Sequence, residues 1–375
     1  MKFLKDYLLK SVKILLKIPF FVLSRLPFRV VHKKMPRDIA YIFMNKLLKA
    51  FSPGSVVRIK TGANRGLLWK IPSDLNSKNS ATDRDIWDLN QMHLGTYERD
   101  VQRLLKSIIR PGHLCYDIGA NVGFFTLLMA RYAGINGGVE AFEPVAENVE
   151  AIKEEVQINR FTNVSVHQKV VSSDSGMVNF VMHDNDRPIS QILESGPIYK
   201  ELQRSISVMA QLLHSADDKR DIYLKEQLAL ASEGRIAEVV ENTEKIRFKN
   251  PLYLKHKKKV DDIIDFFRRN HIRYSFHTVR MESVSLDDLV GNALKPPDFV
   301  KLDVEGAEGD VIKGMRGTLK KYHPILYVEL HTEKAAAEVK NTLCEVGGYR
   351  ICNTDFVNID QIERSPGVVC IPEGK

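Results

Sequence analysis

Four side chains that follow two short apolar runs could handle a proton. Asp303 and Glu305 come after Phe299-Val-Lys-Leu302, and Glu329 and His331 come after Ile325-Leu-Tyr-Val328. An imidazole titrates near neutral pH and neighbouring carboxylates can raise its pKa, so the set suits general-base help to a weak nucleophile such as a hydroxyl. His331 is the first candidate for that base, and its alternative is an ordinary strand-end histidine bonded to a loop. Asp303 is expected to contact an amine or to orient the base. Glu305 does the same or caps the helix that follows it. Oxygen and imidazole donors can also ligate a divalent cation. No metal is expected, because alternating positions on a strand point to opposite faces and the four side chains need not converge.

A second group is organised around Leu114-Cys-Tyr-Asp-Ile118, a turn containing Gly119, Asn121 and Gly123, a helical pattern, and a second apolar run that ends at Glu143. In an open α/β sheet this order places a small molecule over the carboxyl ends of adjacent parallel strands. Glycines let it approach the backbone there, and helix N–H groups face it. Glu143, 20 residues beyond Gly123, is placed to accept hydrogen bonds from a ribose diol. The turn reads Gly119-Ala-Asn-Val-Gly123 with Phe124 and Phe125 next, so it lacks the third glycine that seats a dinucleotide. Asp117 suits an amine or a cation better than a phosphate, and S-adenosylmethionine carries both an amino group and a sulfonium. Ser172 or Val171 is expected near the adenine, and Asn148 reads as a helix-surface residue.

These residues sit in pieces that resemble the FkbM-type methyltransferases, class I enzymes that use S-adenosylmethionine and mostly O-methylate. The matching pieces are Gly95-Thr-Tyr-Glu98, Tyr116-Asp-Ile-Gly-Ala-Asn-Val-Gly-Phe124, Ala141-Phe-Glu-Pro144, Ser285-Leu-Asp-Asp288, Lys301-Leu-Asp-Val-Glu-Gly-Ala-Glu308 and Val328-Glu-Leu-His331. The resemblance covers roughly residues 55–185 and 276–372. It implies that Glu98 reaches the methionine amine of the cofactor, although Glu98 also reads as a cap for the helix after it.

Elements must hold these groups in place. Strands and helices alternate from residue 114 to residue 171: a strand, a helix over 124–132, a strand over 138–142, a helix over 146–159 and a third strand over 164–171. A fourth strand over 298–304, a helix over 311–322, a fifth strand over 325–330 and a helix over 334–346 continue the pattern. This predicts an α/β fold with a doubly wound, mainly parallel sheet, Rossmann-like in the manner the resemblance implies. Residues 349–352 and 368–371 are expected to close the sheet as an antiparallel hairpin, and 178–182 with 277–284 to form an added antiparallel pair. Residues 38–110 read as N-terminal helices and a hairpin. Residues 111–194 and 275–375 form the catalytic domain, and 195–274, rich in Leu, Glu, Lys and Arg at helical spacing, form a helical insertion. That insertion is read as packed at the sheet's edge, with a partner-binding module or a lid as alternatives.

The net charge of +8 is concentrated at one end. Residues 1–37 carry ten basic side chains against one acid, Asp6, which leaves the rest of the chain close to neutral. Lys2, Lys5, Lys10, Lys13 and Lys17 fall within an arc of roughly 140° on a helical projection, and Phe3, Leu4, Leu8, Val12, Ile14 and Leu15 fill most of the remainder. Basic residues interrupt the stretch too often for a bilayer span or the apolar core of a signal peptide. The pattern predicts a helix lying on an anionic membrane surface, with packing on the protein's own body or on a partner as the alternative. A near-neutral body argues against a broad nucleic-acid face. Cys115, Cys344, Cys352 and Cys370 have no metal spacing and read as thiols in a reducing compartment.

Together these readings predict an S-adenosylmethionine-dependent O-methyltransferase, cytoplasmic and peripheral on the inner face of a membrane. Its acceptor is expected to be a hydroxyl on a small molecule, a glycan or a lipid-linked saccharide. The alternatives are a catalytically silent, membrane-associated adaptor that works through its insertion, and an RNA methyltransferase.

Overall fold

The computed structural model describes residues 54–72, 83–183, 191–192, 197–213, 217–232, 236–247, 251–269, 276–359, 361–362 and 367–374. The helices expected over residues 2–18 and 38–51 lie outside the described residues. Residues 1–99 and 100–375 form two compact units.

In the first unit Val56–Arg58 (β1) and Leu68–Lys70 (β2) pair antiparallel, with Val57 opposite Trp69, as the hairpin pattern predicts. Ile59, Trp69 and Ile71 are buried. Asp83–Leu94 (α1) ends against the hairpin turn, where the Thr61 N–H and hydroxyl both donate to the Leu94 carbonyl at 3.1 and 2.5 Å. Gly95 has a φ of +73°, and a Cβ there would lie 1.9 Å from the Thr61 carbonyl oxygen. Only glycine lets the chain pass this close in that conformation.

Arg99–Ile108 (α2) begins at the boundary between the units, and the second unit continues with Leu114–Ile118 (β3), Phe124–Ala133 (α3), Gly138–Phe142 (β4), Ala146–Ile158 (α4) and Val164–His167 (β5). The third strand expected over 164–171 divides here. After His167 the chain leaves the main sheet, and Val170–Val171 (β6) joins a second one with Gly176–His183 (β7), Gln191–Ile192 (β8) and the later strand Phe276–Val284 (β9), in the order β6-β9-β7-β8. Val171 is buried with Val284 and Leu286, and Val170 with Phe180 and Ala307, so each valine finds a different apolar cluster. The antiparallel pairing of β7 with β9 follows the expectation, with Val181 opposite Thr278.

Between β8 and β9 run Pro197–Leu213 (α5), Asp217–Ser232 (α6), Ile236–Arg247 (α7) and Pro251–Arg269 (α8). Proline at the first position of α5 and α8 gives up an N–H that would be unpaired anyway. Ala210, Leu213, Tyr223, Val260 and Ile264 make one small core within these helices. Ile206, Met209, Ala231 and Val239 make another around Val181 of β7, which fastens the insertion to the second sheet.

After β9 come Leu286–Asn292 (α9), Phe299–Leu302 (β10), Glu308–Lys313 (α10), Arg316–Tyr322 (α11), Ile325–Glu329 (β11), Glu333–Val346 (α12), Tyr349–Cys352 (β12) and Gly367–Pro372 (β13). The single helix expected over 311–322 is two, because Asp287 takes the N–H groups of Gly317 and Thr318, both at 2.7 Å, and caps a new start. Ser285 caps α9 through the Asp288 N–H at 3.1 Å. The Ser285-Leu-Asp-Asp288 piece therefore serves helix starts.

The main sheet has the order β12-β13-β11-β10-β3-β4-β5, parallel from β11 to β5, with β13 antiparallel between β11 and β12. This is the doubly wound, mainly parallel arrangement that the sequence predicts. The strand order reverses between β3 and β10, and the crevice outside the carboxyl ends at such a point is where ligands bind. Ile118, Phe142, Leu302 and Val328 form one row across four strands, so the next residues, Gly119, Glu143, Asp303 and Glu329, stand side by side at the strand ends. Tyr116, Ile118, Val300, Leu302, Leu326 and Val328 are buried with Val311, Ile312, Leu319 and Val339 in the main core. Asp117 and its register partner Lys301 face the other side, toward Thr126 and Phe125 of α3. Among the described residues no helix is long and apolar enough to cross a membrane.

Candidate active site

Asp117 is completely buried at the end of β3. Its Oδ2 accepts a hydrogen bond from the Thr126 hydroxyl at 2.6 Å, and its Oδ1 has no hydrogen-bond partner among the described residues, with Lys301 Nζ 3.9 Å away. Burial pushes the Asp117 carboxyl above its usual range, against the pull of Lys301 and Thr126. Glu143 is held from three sides: Oε2 accepts from the Asn121 N–H at 2.9 Å, and Oε1 from the Val145 N–H at 3.0 Å and the Asn148 amide at 3.2 Å. Burial still outweighs these donors and raises Glu143 to about 7. Asn148, expected on a helix surface, is instead buried, and its side chain orients Glu143.

Four amides of the turn between them are used internally. The N–H groups of Gly119 and Ala120 both donate to the Phe142 carbonyl at 3.0 Å, that of Asn121 to Glu143, and that of Gly123 to the Ala120 carbonyl at 2.9 Å. A phosphate would need such donors, so these four amides suit a phosphate poorly. What remains is a carboxylate oxygen of Asp117 without a donor and a second lone pair on Glu143 Oε2. Those fit the amino group and the ribose hydroxyls of S-adenosylmethionine. Gly119 has a φ of +79°, and a Cβ on it would lie 1.8 Å from the Asp303 carbonyl oxygen, so the cofactor turn presses directly on the end of β10. Asn121 also takes a left-handed φ, of 50°.

Asp303, Glu305, Glu329 and His331 do converge, which corrects the expectation that they need not. From His331 Nε2 the distances are 3.6 Å to Glu305 Oε2, 3.8 Å to Asp303 Oδ1 and 3.9 Å to Glu329 Oε1. Each pair is spaced i, i+2, which returns to the same side, and β10 and β11 are neighbours, so the side chains meet. The geometric ground for expecting no metal therefore fails. Glu305 adopts a φ of 52°, a conformation disfavoured for residues other than glycine and one that clusters at functional sites.

Two further residues complete this half. Glu308, fully buried, places Oε1 2.8 Å from His331 Nδ1 and accepts the Gly306 N–H with the same atom at 2.8 Å. Lys301, also buried, places Nζ 3.0 Å from Asp303 Oδ2 and lies over the Phe125 ring at 5.2 Å. Both stand inside the Lys301-to-Glu308 piece, and the spacing of Lys301 two residues before Asp303 is a readable sign that they share a face. Burial would lower the His331 pKa, but the bond to Glu308 and the charges of Glu305, Glu308 and Asp303 outweigh it and raise it to about 10. Alone with these neighbours the ring keeps its proton at neutral pH and donates.

The other two expected residues have these local settings. Ser172 donates its N–H to the Val284 carbonyl at 3.0 Å, which joins it to β9. Glu98 lies in the first unit, immediately before α2, with a φ of 38°.

A sequence profile described as "Methyltransferase FkbM domain" matches residues 117–362. A search of curated proteins found no match. Among solved structures, the chain is similar to a methyltransferase FkbM from Methylobacillus flagellatus KT at 12% identity and a TM-score of 0.36, over 89% of this chain and 59% of that one. It thus spans under two thirds of that relative's length. A SAM-dependent O-methyltransferase from Thermotoga maritima is similar at 10% identity and a TM-score of 0.34, over 90% of this chain and 82% of that one. A precorrin-6y C5,15-methyltransferase from Geobacter metallireducens GS-15 is similar at 12% identity and a TM-score of 0.33, over 73% and 86%.

Proposed function

This chain belongs to the FkbM methyltransferase family, and from that premise we propose that it moves the methyl group of S-adenosylmethionine to a hydroxyl oxygen. The observation that carries the reading is the row of strand ends, in which Gly119 and Glu143 of the cofactor half stand beside Asp303 and Glu329 of the acid half. When bound, the cofactor supplies a methyl carbon on a positively charged sulfur. Glu143 holds the ribose diol, Asp117 Oδ1 receives the amine, and the Gly119 turn sets how near the cofactor comes to Asp303. A hydroxyl is a poor nucleophile, and Asp303, Glu305 and Glu329 surround the place where its proton must be accepted. His331, tied to Glu308, stands among these carboxylates and orients the oxygen.

The acceptor we infer is a hydroxyl of a glycan or a lipid-linked saccharide at the cytosolic face of a membrane. Carboxylates arranged around one imidazole suit the many donors of a sugar. The ten basic residues among residues 1–37, interleaved with apolar ones, supply the attraction to anionic lipid at about 1 kcal/mol each near the surface.

Isothermal titration of the full chain with S-adenosylhomocysteine tests the cofactor: heat is expected for the parent chain and its loss for Glu143→Ala. Silence of the parent chain at millimolar ligand sinks the reading. Flotation with anionic against zwitterionic vesicles tests the membrane. Equal behaviour in the two removes that part alone.

A further inference from the structure

We propose that Asp303, Glu329 and His331 bind one divalent cation of the magnesium or manganese kind. One donor atom from each lies within 4.8 Å of the other two. His331 Nε2 is 3.8 Å from Asp303 Oδ1 and 3.9 Å from Glu329 Oε1, too long for hydrogen bonds. Around an ion with bonds of about 2.1 Å, ligand atoms at right angles are about 3.0 Å apart and opposed ones about 4.2 Å. The three donors therefore stand at separations that one shared ion spans with small side-chain rotations.

Two buried residues outside the triad aim its donors inward. Glu308 takes Nδ1 of His331, which turns Nε2 toward the carboxylates, and a carboxylate behind the imidazole is the usual support of a metal-bound histidine. Lys301 takes Asp303 Oδ2 at 3.0 Å, which leaves Oδ1 toward the triad. The second oxygen of Glu308 is buried with no hydrogen-bond partner among the described residues. His331 faces Asp303, Glu305, Glu308 and Glu329 there, and Lys301 faces Asp303 and Asp117. A divalent cation at Nε2 takes the place of the ring proton and answers the same carboxylates.

The donor set names the ion class. The two carboxylates suit magnesium or manganese, the absence of thiolate disfavours softer ions, and the imidazole favours manganese of the two. The side chains of Asp303, Glu329 and His331 keep 24%, 28% and 19% of their exposure, which leaves coordination positions for water or for acceptor oxygens. An ion there would bring a bound hydroxyl closer to its alkoxide. That consequence rests on the methyl-transfer reading, whereas the ion site rests on side-chain geometry.

The test is titration of the chelator-treated full chain with Mn²⁺, followed by electron paramagnetic resonance. One bound ion per chain is expected, with nitrogen coupling from the imidazole in the pulsed spectrum. Asp303→Asn and Glu329→Gln should each weaken binding about tenfold or more, His331→Ala should remove the coupling, and Glu282→Gln, at an exposed carboxylate on β9, should change nothing. No Mn²⁺ binding at millimolar concentration, absence of nitrogen coupling, or equal affinity in the three site variants overturns the proposal. If a variant does not fold, the coupling in the parent chain decides. A parallel titration with S-adenosylhomocysteine separates the two readings: ligand bound without Mn²⁺ removes the ion only, and Mn²⁺ bound without ligand removes methyl transfer only.

Discussion

Glu308 Oε1 lies 2.8 Å from His331 Nδ1 and joins the first residue of α10 to the chain just beyond β11. The same oxygen accepts the Gly306 N–H, so one buried atom fixes both the ring and the turn that carries Glu305.

Glu308→Gln keeps the size of that side chain and removes its charge. Turnover is expected to fall about ten- to a hundredfold, as for other groups that orient an active histidine, while S-adenosylhomocysteine binding stays nearly constant. Steady-state kinetics and calorimetry check this. Equal loss in both measurements would mean that Glu308 only holds the fold.

Glu143 gives the protein a pH dependence of stability. Its folded carboxyl titrates at about 7 and its ordinary value is 4.5, so between these values the folded state holds a proton that the unfolded state has released. Stability contributed by this group is full below about pH 4.5 and lost as pH rises toward 7, by roughly 3 kcal/mol for a shift of this size. Urea unfolding from pH 4.5 to 8 should show that decline in the parent chain and a flatter profile in Glu143→Gln. Parallel profiles would show that the residue is not shifted.

Lys301 sits between Asp117 and Asp303 with almost no exposure. Lys301→Met leaves two carboxylates without their cation and is expected to cost about 3–5 kcal/mol in urea unfolding. Adding Asp117→Asn should recover part of that loss, because the two residues are coupled. Strictly additive costs would refute the coupling.

Gly119→Ala should be severe for its size. The added Cβ meets the Asp303 carbonyl at 1.8 Å in a backbone conformation that already disfavours alanine. An unfolding cost above about 2 kcal/mol, or a folded protein that no longer binds S-adenosylhomocysteine, is expected. Parent-like stability and binding together would show that the two strand ends are not tightly apposed.

Much of this was legible in order and spacing. The alternation of strands and helices, the glycine turn after Asp117 and the acid at Glu143 specify a doubly wound sheet and the end at which a ligand sits. The hairpin of β12 and β13 and the pairing of β7 with β9 could also be read, because apolar runs of strand length bounded by turn residues leave few other arrangements. What escaped reading were the places where a residue's partner lies far along the chain. Asn148 looks like a surface amide until Glu143 is brought against it, and Val170 looks like the end of β5 until β9 arrives more than a hundred residues later.

The amino-acid sequence alone determined which faces and which ends the chemistry occupies, because side-chain periodicity and turn residues are local properties. Only the tertiary structure decided that Asp303, Glu305, Glu329 and His331 meet, that Lys301 and Glu308 hold two of them from behind, and that the Gly119 turn has used four of its amides. Those facts depend on which strands are neighbours and in what register. Register is set by long-range packing that no short stretch of chain encodes.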